Sequence, residues 1–243
     1  MVIHFPQLPA TFLHIPRTAG TSFKVWVEAN IQPFEPVPHT PYTPENISKK
    51  PNRDYVSSVW PNLGTEFTFV RNPFDRLVSL YHYMGQWAEA RVVRTKSLLA
   101  SGDTTNWKTH PYQNENIVAS IVDDTRLVEL YNKGFDYWFD AVFFNRRNLY
   151  SNTRPHSKHL IDQFWAGETQ VSWFNGTLPN IIVKVEDLST DFIKIQQLMN
   201  CFEPLPVENT TVRKPYKDYY SQSTRQTVEM LFADDLNTFN YEF

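Results

Sequence analysis

The stretch Thr11–Ala29, TFLHIPRTAGTSFKVWVEA, constrains this chain more than any other. An apolar run, Thr11–Ile15, reads as a buried strand. Pro16-Arg17-Thr18-Ala19-Gly20 breaks it, and Thr21-Ser22 opens a helical pattern with Phe23, Trp26 and Val27 on one side. A strand feeding a tight turn of small residues at a helix start makes an anion site. The free N–H groups of the first turn and the positive end of the helix dipole meet there. Gly20 allows the backbone to approach a phosphate closely. Thr18, Thr21 and Ser22 offer hydroxyls, and Arg17 offers a permanent charge able to hold an oxyanion by two hydrogen bonds.

The chain around this loop has 243 residues, enough for one large α/β domain or two small ones. At 41% hydrophobic and 20% charged residues, a packed core is expected. The formal charge of −3 gives no basis for a nucleic-acid partner. The single cysteine, Cys201, forbids an intramolecular disulfide and reads as a packing residue; it leans toward a reducing compartment. The start MVIHFPQLPATFLHIP has no basic region ahead of a long apolar run, so no signal peptide is expected. No stretch is apolar for long enough to span a membrane, and the expected location is cytoplasmic. The glycosylation sequons at Asn46, Asn175 and Asn209 are therefore read as chance.

Along the chain, residues 1–10 read as a short proline-containing lead and 31–52 as a proline-rich loop carrying His39. Tyr55–Trp60 alternates weakly, as a strand would, and Glu66–Val70 is a clearer strand. A helix begins near Phe74 with Leu77, Leu80, Tyr81 and Met84 on one face. Residues 86–113 resist assignment, with a loop at 100–110. Helical patterns return at 114–122 and 126–133, and the aromatic run 135–144 reads as partly buried. Ile181–Val185 is a short strand, followed by a helix over 190–202 with Phe192, Ile195, Met199 and Phe202 inward. A last helix over 223–236 directs Val228, Leu231, Phe232 and Leu236 inward. Strands alternating with helices predict a single α/β domain, 1–243, with a mainly parallel sheet flanked by helices.

A second anchor is Phe69–Tyr83, FVRNPFDRLVSLYHY. A strand brings Arg71 to its carboxyl end, where ligands sit in open α/β sheets, and Ser79 follows two turns into the next helix. An arginine and a serine so placed suit a terminal phosphate.

HIPRTAGTSF at His14–Phe23 resembles the phosphosulfate-binding loop of sulfotransferases that use 3′-phosphoadenosine 5′-phosphosulfate (PAPS). The pattern at Arg71, Pro73, Arg76, Ser79 and Tyr81 resembles their 3′-phosphate motif. Arg154-Pro155-His156-Ser157, Val185-Glu186-Asp187-Leu188, Tyr216–Tyr220 and the C-terminal DLNTFNYEF extend the likeness over most of the chain. It is greatest toward the carbohydrate branch that includes heparan sulfate 2-O-sulfotransferases.

The resemblance implies a sulfotransferase fold like that of P-loop nucleotide kinases, with PAPS as co-substrate and no metal. The acceptor it implies is a hydroxyl, most naturally on a glycan. It places the 5′-phosphosulfate on Arg17, Thr18, Ala19, Gly20, Thr21 and Ser22 and the 3′-phosphate on Arg71 and Ser79. Arg213 and Lys214, in a basic loop with Lys217, would close over the cofactor or form a solvated cluster. Arg76 fits the pattern but also suits packing or ion pairing. Arg17 departs from the usual Lys, keeping the charge in a wider, planar group. Lacking a membrane anchor, the chain would be a soluble form or a trimmed domain of a Golgi-type enzyme.

A general base with a pKa near neutrality suits the attacking hydroxyl. His39 is the first candidate, followed by Glu28, Glu35 and His156. His156 and His159 lack a third metal ligand and read as surface histidines. The cations Arg91, Arg94, Lys96, Arg146, Arg147, Arg154 and Lys158 read as a solvated face sooner than a glycan surface. Two rival functions remain: an ATP-dependent kinase, whose G-x-x-x-x-G-K-[ST] pattern is absent, and a PAPS-binding protein without catalysis. The sequence leaves the oligomeric state open.

Overall fold

The N-terminal residues read as a short proline-containing lead include the first strand. In the computed structural model, which describes residues 2–36, 52–101, 117–141, 167–208 and 211–243, β1 (Ile3–Phe5) turns through residues 6–9 into β2 (Ala10–Phe12). The two pair antiparallel, Ile3 opposite Phe12 and Phe5 opposite Ala10. Proline at 6 and again at 9 suits a turn, where no ladder N–H is needed.

The chain continues as α1 (Gly20–Asn30), β3 (Glu35–Pro36), α2 (Arg53–Val59), β4 (Thr65–Val70), α3 (Pro73–Ser101), α4 (Ile117–Asn132) and α5 (Phe135–Phe139). It ends with β5 (Ile181–Lys184), α6 (Leu188–Asp191), α7 (Ile193–Met199), α8 (Gln222–Leu231) and α9 (Ala233–Phe239). The sheet order is β3-β1-β2-β4-β5. β2, β4 and β5 are parallel, and β1 pairs antiparallel with both β2 and β3. The protein is thus α/β with a mixed open sheet, parallel where strands are joined through helices and antiparallel at the hairpin edge.

Two compact units divide the chain. The first comprises Met1–Arg76, Glu168–Arg213 and Thr227–Phe243; the second comprises Leu77–Gly167 and Lys214–Gln226.

The first unit contains the sheet. Its core is aromatic: Phe12 lies with ring centroids 4.4 Å from Phe23, 5.3 Å from Phe67 and 5.1 Å from Phe69. Trp26 on α1 meets Phe192 edge-on at 5.2 Å. Trp26 also donates its indole N–H to the Glu203 carbonyl at 2.8 Å, satisfying the polar end of a buried ring. Cys201 packs against the same core.

The second unit is helical in its described residues. Tyr81 on α3 donates to the Tyr131 carbonyl at 2.7 Å and lies 5.4 Å from Trp138 and 5.5 Å from Phe135. His82 stands between two phenols, Tyr131 at 3.0 Å and Tyr219 at 2.8 Å.

Several expectations need correction. Tyr55–Val59 is helical, not extended, because the Asn52 side chain accepts from Tyr55 N–H at 3.1 Å and caps α2; only Trp60, at the helix end, is extended. Residues 86–101, left unassigned, continue α3, whose polar residues suit an exposed helix face as readily as a loop. The 190–202 helix is two pieces, and Phe202 lies beyond them with 62% of its surface exposed. Leu231 is exposed rather than inward, because the last helix breaks at Phe232. Arg91 is no solvated cation: its guanidinium pairs with buried Asp124 at 3.0 Å. Among the described residues no helix is long and apolar enough to cross a membrane.

Candidate active site

Three neighbouring parallel strands end on the same edge of the sheet, so the residues after β2, β4 and β5 are brought side by side. After β2 comes the loop of residues 13–19. It is tied to β4 by Leu13 N–H on the Phe67 carbonyl at 2.8 Å and by the Thr68 hydroxyl on the Leu13 carbonyl at 2.6 Å. Arg17 and Ala19 both take positive φ, 70° and 60°. Alternating left- and right-handed residues turn successive N–H groups toward one concavity that favours an anion. Helix α1 then starts on Ala19, which has no side chain to cap it, and no acidic residue lies in the first turn. The dipole end is left for an external acceptor.

The hydroxyls of the loop do different things. Thr18 is buried and donates to the Ile15 carbonyl at 2.8 Å, so its side chain closes the turn instead of facing outward. The Ser22 hydroxyl accepts from Glu208 N–H at 3.0 Å, and its own proton remains for donation. Thr21 is exposed. Gly20 has its place because of His14: a Cβ there would stand 2.0 Å from the His14 ring. Burial drives the His14 pKa well below the ordinary histidine value, and the charges of Arg17 and Arg76 add to the effect. The ring is neutral at neutral pH.

After β4 comes Arg71. Its guanidinium binds Asp75 at 2.7 Å, and its Nη1 donates to the Arg17 carbonyl at 3.4 Å. Asp75 also accepts from Arg213 at 2.5 Å. The Asp75 carboxylate therefore joins Arg71 to Arg213, and Arg71 itself reaches the loop through the Arg17 carbonyl. Asn72 starts α3: its side chain accepts from Phe74 N–H at 3.0 Å, Pro73 takes the first turn, and Asp75 complements the dipole.

Arg76 is a positioning residue here. It is buried, donates to the Pro16 carbonyl at 3.0 Å and to the Glu168 carbonyl at 2.7 Å, and burial lowers its pKa to about 10. After β5, Glu186 accepts from Asn72 N–H at 2.8 Å and from the Tyr241 hydroxyl at 2.9 Å. Burial raises the Tyr241 pKa, and the Glu186 charge and hydrogen bond raise it further.

Ser79 and Lys214 belong to the second unit, Ser79 buried on α3 and Lys214 exposed. His39 and His156 lie outside the described residues. The other two alternative bases, Glu28 and Glu35, have partners of their own. Glu28 lies eight residues beyond Gly20 on α1, about 12 Å along the axis, beside Lys24. Glu35 sits on edge strand β3 and accepts from the Trp60 indole at 3.0 Å. Asp75 and Gln170 support the site but were not singled out from sequence; Glu186 and Asp235 fall in the stretches Val185–Leu188 and DLNTFNYEF that extended the resemblance, without a role given to either. Asp75 was findable, as the acid one turn after Arg71; Gln170 lies in a segment with no distinguishing pattern.

A family model described as the sulfotransferase family matches residues 3–242. No curated protein and no solved structure matches the chain. With the match running nearly end to end and the anion loop, Arg71 and Arg213 gathered at one sheet edge, this chain belongs to the sulfotransferase family.

Proposed function

We propose that this transferase moves a sulfuryl group from PAPS to the hydroxyl of an acceptor, most naturally a carbohydrate, as one domain on a P-loop-kinase-like scaffold. The observation that carries the reading is the union of the uncapped loop–helix junction with Arg71 through the Arg17 carbonyl. Such a site suits a ligand carrying anionic groups at two ends.

In this reading the loop N–H groups from Thr18 to Ser22 hold the 5′-phosphosulfate. Arg71, with Ser79, holds the 3′-phosphate, and Arg213 and Lys214 close over it. The acceptor oxygen bonds to sulfur as the sulfur–oxygen bond to the 5′-phosphate breaks, and the hydroxyl proton passes to His39. Arg17 and the helix end meet the charge that grows on the departing oxygen. The products are a sulfate ester and adenosine 3′,5′-bisphosphate. The required charge is all supplied by the chain, with no metal in the step.

Calorimetric titration with adenosine 3′,5′-bisphosphate, 5′-AMP and ATP, each with and without magnesium, tests this. Binding that needs the 3′-phosphate, ignores magnesium and collapses in Arg71→Ala supports it. Binding of ATP alone, and only with magnesium, overturns it in favour of a kinase. Nucleotide binding with no sulfate transfer to any acceptor in a broad glycan panel identifies a non-catalytic binder.

A further inference from the structure

The support of Arg71 reaches residues that neither motif contains. Gln170 is fully buried, and both ends of its amide are spent on the Arg71 backbone. Oε1 accepts from Arg71 N–H at 2.9 Å, and Nε2 donates to the Arg71 carbonyl at 2.8 Å. An amide bound on both sides of one residue fixes the direction in which β4 releases its side chain.

Gln170 is held in turn by Asp235 on α9. The Gln170 N–H donates to Oδ2 at 2.8 Å and its Nε2 reaches the same oxygen at 3.2 Å, while Val171 N–H donates to Oδ1 at 2.9 Å. Asp235 has no exposed surface. A buried carboxylate is costly unless it is met by donors and positive charge, and here it has both.

We propose that Asp235 is a positioning residue for the phosphate cradle: by holding Gln170, whose amide brackets the Arg71 backbone, it orients Arg71. The proposal rests on the reading of Arg71 as a phosphate ligand. It assigns specificity for a 3′-phosphate to a carboxylate that touches no ligand.

The test is the ratio of the Kd for 5′-AMP to the Kd for adenosine 3′,5′-bisphosphate, measured by calorimetry on the full chain. A wild-type ratio near one defeats the functional reading itself, whatever the variants do. With a wild-type ratio well above one, Asp235→Asn lowers it about tenfold, because the NH2 of an Asn at 235 would face either the Gln170 donors or the Val171 N–H and leave that side without an acceptor. Gln170→Leu removes the clamp on Arg71 together with the Nε2 bond to Asp235, leaves the two backbone donors on Asp235 in place, and lowers the same ratio. Melting temperature and circular dichroism are recorded for both variants. A folded variant whose ratio falls supports the proposal, and one folded Gln170→Leu suffices if Asp235→Asn does not fold. Folded variants that keep the wild-type ratio overturn it. Loss of fold in both overturns it too, since the two residues would then be structural only.

Discussion

A Cβ added to Gly20 would stand 2.0 Å from the His14 ring, so the glycine and the histidine are fitted to each other beneath the loop. The imidazole fills the space that a side chain at 20 would need. Gly20→Ala is expected to weaken adenosine 3′,5′-bisphosphate binding and to cost about 1–3 kcal/mol of stability by overpacking. The double variant His14→Ala/Gly20→Ala recovers part of the stability loss, read as a coupling energy in chemical denaturation.

His14 also gives stability a pH signature. Its folded pKa is depressed by burial, so the unfolded chain takes up the proton first as pH falls. The stabilising contribution is complete above the ordinary histidine pKa of about 6.5 and is lost as pH drops from there toward the folded pKa. The slope from this one group reaches at most about 1.4 kcal/mol per pH unit. The expected outcome is that the difference in unfolding free energy between wild type and His14→Asn shrinks between pH 7 and pH 5; a constant difference counts against it.

Arg213 was readable from sequence either as a solvated cation or as a ligand; its pairing with Asp75 shows that it is not a solvated cation, and its ligand role belongs to the proposed function. Arg213→Ala is expected to raise the Kd for adenosine 3′,5′-bisphosphate about tenfold, in keeping with loss of one charge-assisted bond. Arg213→Lys restores only part of it, because Lys cannot span Asp75 and a phosphate with a planar fork. Isothermal titration at two ionic strengths checks both.

Phe12 sits where β2 meets α1 and β4, surrounded by Phe23, Phe67 and Phe69. Phe12→Ala is expected to destabilise the protein by about 3–5 kcal/mol in denaturant titration. Phe202→Ala, at an exposed ring, is expected to change stability by about 0.5 kcal/mol or less.

The parts of the fold legible in the sequence were those fixed by short-range rules. The loop and α1 followed from a strand, a run of small residues and an amphipathic pattern. The start of α3 followed from Pro73 and the apolar spacing behind it. Residues 55–60 misled because their weak alternation outweighed one capping asparagine at 52, and a cap is a single atom's worth of signal. The hairpin edge was missed because a three-residue strand carries almost no periodicity of its own. Arg71 and Ser79 were visible as a spaced pair, but the Asp235–Gln170 support was not. It joins residues 65 apart through two hydrogen bonds and leaves no spacing to read.

Asp75 stands between Arg71 and Arg213, so the two guanidiniums already have a resident counter-ion. The corner presents a net single positive charge, not two. A monovalent ion gains little by competing with a carboxylate already in place. A group bearing two charges and three oxygens can displace it and engage both forks at once. If the proposed function holds, this corner would favour a doubly charged phosphate over chloride and other monoanions. Raising salt should weaken nucleotide binding less steeply than two unmasked arginines would.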